Sequence, residues 1–189
     1  APATEIKTTS NEFVVRETFE TSTINKFFTV QNPSKLKSGG GKSQYPEAGW
    51  IRSTKIAYQG SYCFRADRAK IGNSEDAAVD FIIKVPHGVK NAKVEWWNFV
   101  ELERAKSTDP TTGFFRLYEE YRIWVNYSMW KEFDWCSTTM LISRSVGSKW
   151  ACPWGRWWKE TLYLTPGQTY ILTFELQRDA GDSSPIHGR

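Results

Sequence analysis

The chain has 189 residues, 40% hydrophobic and 15% aromatic, with a formal net charge of +4. That length fits one domain, with or without an arm, and the composition supplies a full core. The basic residues are scattered among 21 acids, so no clustered stripe suits nucleic acid, and no apolar run is long enough to insert in a membrane. Ala1-Pro2-Ala3 fits either a mature end after signal cleavage or a start exposed by removal of Met.

In chain order, residues 1–12 are polar, without an apolar period, and predict a flexible N-terminal arm or an added edge strand. Phe13 to Phe19 alternates and predicts a strand. Asn32 to Gly49 holds Pro33 and Gly39-Gly40-Gly41 and predicts a loop. Strands are expected at Gly60–Ala66 and at Ala77–Val85, where Pro86-His87-Gly88 stops the second. From Ala92 to Leu102 the pattern alternates strongly. Val94, Trp96, Asn98 and Val100 fall on one face, and Glu95, Trp97, Phe99 and Glu101 on the other. Tyr121–Met129 and Thr138–Ser143 predict two further strands. Phe114, Tyr118, Tyr121 and Val125 have helical spacing, but the neighbouring charges fit a strand edge equally well. Trp157–Leu164 and Thr169–Gln177 flank Thr165-Pro166-Gly167-Gln168. Pro then Gly suits a type II turn, because its third position needs positive φ, and a hairpin is expected there. Strands at short intervals with turn signals predict an all-β, jelly-roll-like antiparallel sandwich over residues 13–180, with a C-terminal tail over 181–189.

Ten tryptophans are more than such a core needs. Indole is large and carries an N–H that wants a partner, so part of the excess is expected at a recognition surface. The densest cluster runs from Trp150 through Cys152, Pro153, Trp154, Gly155 and Arg156 to Trp157 and Trp158. Pro153 and Gly155 are expected to hold it as a loop, where Trp150 and Trp154 would offer a sugar platform and Arg156 a hydroxyl partner. The competing structural reading turns Trp157 into the core and has Trp154 cap the sandwich. Met129 to Trp135 predicts a second aromatic loop, with Trp130 and Trp135 at a wet binding edge or folded beneath it. Candidate carbohydrate-binding residues are therefore Trp130, Trp135, Trp150, Trp154 and Arg156.

Catalysis is less well supported. Glu101 and Glu103 would share a strand face roughly 7 Å apart, a separation a glycosidase pair can use, but a solvated strand end is the simpler reading. His87 follows Pro86 in a turn and His187 lies in the tail, so no Ser-His-Asp set is apparent. Gly39-Gly40-Gly41 lacks the strand and helix of a phosphate loop. The three cysteines, Cys63, Cys136 and Cys152, match no zinc spacing. A Cys136–Cys152 bridge needs neighbouring strands, and buried free thiols are the favoured reading. No cofactor is expected, although Glu20, Asp80 and Asp179 are candidate ligands for a structural calcium.

Glu17-Thr18-Phe19-Glu20 and Ala57 to Ala66, with its Tyr58-Gln59-Gly60-Ser61-Tyr62 run, resemble the opening strands of jelly-roll carbohydrate-binding and adhesin-like modules. Trp157 to Asp179, with its Pro166-Gly167 turn leading into an alternating strand, resembles their late hairpin. Such modules occur in bacterial surface proteins, adhesins and phage tail proteins. The resemblance implies a non-catalytic module, extracellular or on a virion surface, that binds a polysaccharide, a glycoconjugate or a surface receptor through exposed Trp-rich loops. The chain departs from the pattern after Asp179, where a closing acidic strand is missing, and the N-terminal segment is a candidate substitute. The alternative function is a structural virion protein of a phage tail or capsid surface, whose aromatics and arm mediate assembly as a homo-oligomer or with other virion proteins.

Overall fold

The computed structural model describes residues 4–9, 12–23, 27–37, 46, 48–66, 76–102, 104–108, 115–117, 119–137, 143–144 and 149–178. Among them every regular element is a strand, and the molecule is an all-β sandwich as expected. Strands β1 (Thr4–Thr9) and β2 (Glu12–Glu17) form an antiparallel pair. β3 (Phe28–Gln31), β4 (Trp50–Ser53), β5 (Cys63–Ala66), β6 (Asp76–Lys84) and β7 (Ala92–Phe99) follow. Next come β8 (Arg104–Thr108), β9 (Phe115–Leu117), β10 (Glu119–Val125) and β11 (Ser128–Ser137). The last four are β12 (Ser143–Arg144), β13 (Lys149–Pro153), β14 (Trp157–Leu164) and β15 (Thr169–Arg178).

One sheet has seven strands in the order β12-β13-β11-β10-β15-β6-β3. Pairs β7–β14 and β4–β5 supply the facing layer. Ring contacts join the two layers: Trp50 of β4 and Trp96 of β7 meet Phe174 of β15 at 6.1 and 5.6 Å, and Trp158 of β14 meets Phe133 of β11 at 5.5 Å. Such pairs add about 0.5–1.5 kcal/mol each beyond the area they bury. Alternation sets which residues enter: Tyr121, Ile123, Leu172, Leu176 and Ala77 join the core, and their chain neighbours point the other way.

The opposite face of the large sheet is also buried, but polar. Arg122 meets Glu120, Glu132, Glu175 and Gln177, and the Trp124 indole donates to Glu175. Burial acts to lower the Arg122 pKa. The charges of Glu120, Glu175 and Glu132 outweigh it and hold the guanidinium above its ordinary value. Next to this network, Asp80 accepts from Ser34, the Lys35 N–H, Thr173 and Tyr127. Buried charge persists only with such partners.

Five expectations change. The Thr165–Gln168 turn has the expected conformation, with Gly167 at φ +79° and the Gln168 N–H 3.3 Å from the Thr165 carbonyl. It does not close a hairpin. β14 pairs with β7, while β15 pairs with β6 and β10, so the turn carries the chain from one layer to the other. Turn chemistry dictates the bend, not the partners of its arms. Tyr121–Met129 is not one strand. Asn126 and Tyr127 take φ of 50° and 60° and make a tight turn between β10 and β11, a conformation that joins antiparallel strands without splaying them.

Met129 to Trp135 is accordingly part of strand β11 rather than a loop. The cluster from Trp150 splits into β13, a turn at Trp154-Gly155, and β14. Finally, Cys136 and Cys152 stand opposite each other on the parallel pair β11–β13, with Cα atoms 4.5 Å apart, and form a disulfide. Free thiols are thus overturned for this pair, and Cys63 is the free cysteine. Phe114, Tyr118, residues 138–142 and the tail over 181–189 lie outside the described residues.

Candidate functional site

The outward face of β7–β14 concentrates the exposed aromatic rings. Register fixes the rows: Phe99 opposite Trp157, Trp97 opposite Lys159, Glu95 opposite Thr161, and Lys93 opposite Tyr163. The inward rows hold Asn98 with Trp158, Trp96 with Glu160, and Val94 with Leu162. Apolar Val94, Leu162 and Leu164 belong inside, so their alternating partners Trp97 and Trp157 must face outward.

Trp97 is 42% exposed and Tyr58 49% exposed. Their rings stack 4.1 Å apart at 14°. Trp157 meets Tyr58 edge-on at 5.5 Å and Phe99 at 5.3 Å. Tyr58 arrives on the β4–β5 connection, which is anchored at its far end. The Glu20 carboxylate accepts the Ser61 and Tyr62 N–H groups at 2.8 and 3.0 Å. Gly60 beside them has φ +73°, and a Cβ there would stand 2.3 Å from the Glu20 oxygen. Arg52 lies 3.3 Å over the Tyr62 ring and donates to the Phe19 and Glu20 carbonyls. A loop tip on so fixed a base can present a ring in one place.

Polar groups border the rings. Glu95 accepts from Lys93 at 2.8 Å and lies 3.7 Å from the Lys159 ammonium. The hydrogen bond from Lys93, with the Lys159 charge added, holds the Glu95 carboxyl below its ordinary value. At the other end Arg156 is exposed beside Trp157, and Glu101 approaches Gly155, where an added Cβ would lie 3.1 Å from its Oε1.

The residues singled out from sequence sit elsewhere, Arg156 apart. Trp130, Trp150 and Trp154 are half-buried against the core. Trp130 is the extra residue of a bulge between the Ile123–Lys131 and Trp124–Met129 pairs, a device that re-aims side chains, and its ring meets Trp96 at 5.7 Å. Lys131 lies over the Trp130 and Trp150 rings at 4.7 and 4.6 Å and reaches across the sandwich to Glu160 at 2.8 Å. Trp135 is opposite Ala151 in the strand pairing, and its side chain lies outside the described residues. Trp157, given to the core by the structural reading, faces outward, and Trp158 is the buried ring.

Most polar contacts between the layers run through Asn98 and Glu160, although the Asn98 amide nitrogen is buried without a protein partner. Asn98 accepts from the Trp96 indole and the Tyr121 hydroxyl, and Glu160 accepts from the Trp158 indole. Burial and the nearby Glu160 charge hold the Tyr121 phenol well above its ordinary value. Burial also pushes up the Cys63 thiol, against the Ile56 backbone bond and the Arg65 charge, which leaves little thiolate at neutral pH. Of the proposed calcium ligands, Glu20 and Asp80 accept protein donors and Asp179 lies outside the described residues. Among the described residues no group of three His, Cys, Asp or Glu side chains is placed to hold a metal. Glu103, and with it the Glu101–Glu103 pair, lies outside the described residues.

Comparison with known proteins returns no match, whether to a family model, a curated protein or a solved structure.

Proposed function

We propose that this chain is a non-catalytic module that binds carbohydrate on the outward face of β7–β14. The observation that carries this reading is the exposed Tyr58–Trp97 stack on the strand face that also carries Lys159, Glu95 and Lys93. An exposed ring matches the C–H face of a pyranose, and charged groups at its margin match the hydroxyls. Nucleic acid would instead want a basic stripe, whereas the lysines here share a carboxylate. The Cys136–Cys152 disulfide supports an oxidising, extracellular or virion-surface location.

The test is retention on immobilised cellulose, chitin and xylan. Trp97→Ala and Tyr58→Ala each remove one stacking ring, worth about 1–3 kcal/mol by analogy with other aromatic platforms. Retention is expected to fall strongly while Tm changes little, because both rings lie outside the core. Unchanged retention in both variants, or no retention of the parent protein, would overturn the reading. A stable oligomer that buries Trp97 would favour the assembly function instead.

A further inference from the structure

Resting on that reading, we propose that the site takes an extended β-1,4-linked glycan chain rather than a single terminal sugar, with Tyr163 as a second aromatic subsite. Tyr163 is 79% exposed, the most open large ring among the described residues. It lies on the same outward face as Trp97, opposite Lys93. The β7–β14 pairing runs through eight consecutive residue pairs without a bulge, from Trp157–Phe99 to Leu164–Ala92. That face is therefore one continuous ribbon.

Trp157 and Tyr163 are six positions apart on one strand, a span of ~20 Å at the usual strand rise. Tyr163 lies four positions beyond Lys159, the partner of Trp97, or ~13 Å along the ribbon. A single pyranose is too short to touch both ends. Between them stand Lys159, Glu95 and Thr161, with Lys93 opposite Tyr163, all with groups that bond hydroxyls. Aromatic, polar and aromatic zones in line match a linear chain whose outer units rest on rings and whose middle units present hydroxyl edges. β-1,4 linkage keeps such a chain extended enough to follow the strand pair along its length, including the right-handed twist of the strands.

The test is calorimetric titration of the full chain with cellobiose and cellohexaose, repeated with Tyr163→Ala and Tyr163→Phe. Cellohexaose is expected to bind more tightly than cellobiose by about tenfold, the size of one stacking contact. Tyr163→Ala should remove that advantage without changing cellobiose binding, and Tyr163→Phe should keep it. Equal affinity for the two sugars, or a length advantage that survives Tyr163→Ala, would overturn the extended site. Trp97-dependent retention on a polysaccharide with no binding of cellohexaose, chitohexaose or xylohexaose in the same titration would overturn the β-1,4 assignment and spare the aromatic site. Absence of any Trp97-dependent retention would overturn the reading on which it rests.

Discussion

Trp96 and Trp97 are adjacent and do opposite work. Trp96 packs against Phe174 and donates its N–H to Asn98, while Trp97 stacks with Tyr58 in water. The two-residue period of a strand separates them. It separates Trp157 from Trp158 in the same way. Counting tryptophans along the chain therefore does not tell outward rings from inward ones, and the alternation of Val94, Leu162 and Leu164 is the signal that places Trp97 and Trp157 outside. At this scale the charges also make a prediction. Lys93 hydrogen-bonds Glu95 and depresses its pKa. A depressed carboxylate contributes stability above its unfolded pKa and loses it as pH falls through the folded value. Lys93→Met should therefore move the Glu95 pKa upward, read from its carboxyl carbon by NMR titration. An unmoved pKa would show that the pair does not persist in solution.

Strands β11 and β14 are joined through the sandwich by Lys131 and Glu160, each shielded by indole rings. Removing one partner of a buried pair leaves the other charge uncompensated, whereas replacing both with neutral groups is much less costly. Glu160→Gln should destabilise by about 2–3 kcal/mol in urea unfolding, slightly below the range for fully enclosed pairs because Lys131 retains some contact with water. Adding Lys131→Met should recover most of that loss. Additive effects of the two substitutions would contradict the coupling. Such pairings are invisible in sequence because they depend on which strands become neighbours. The β7 alternation was legible from its own residues, and so were the ends of β14 at Leu164 and of β15 at Thr169. Their partners were not, since the Pro166-Gly167 turn bends the chain equally well within a sheet or between layers. The turn at Asn126-Tyr127 escaped notice because Tyr rarely takes positive φ, and Gly is the usual second residue.

The whole molecule has a large sheet with one apolar and one polar buried face, and a smaller layer that presents rings outward. The all-β class was legible from repeated short strands and turn signals, whereas the buried Arg122–Glu175 network resembled ordinary solvated strand charges. The Cys136–Cys152 disulfide ties β11 to β13 across a sequence separation of 16. Closing a loop of that size contributes about 3 kcal/mol in the chain-entropy account. Cys136→Ala combined with Cys152→Ala should lower the unfolding free energy by about that amount, and unchanged stability would show that the bridge adds nothing.

The site itself is tested most directly by following the indole N–H resonances in a 15N NMR titration with cellohexaose. Trp97 and Trp157 should shift with the sugar, while Trp124 and Trp158, bonded to Glu175 and Glu160 inside the protein, should stay in place. Shifts at Trp130, Trp150 and Trp154 with Trp97 and Trp157 silent would contradict the assignment of the ligand to the outward face of β7–β14.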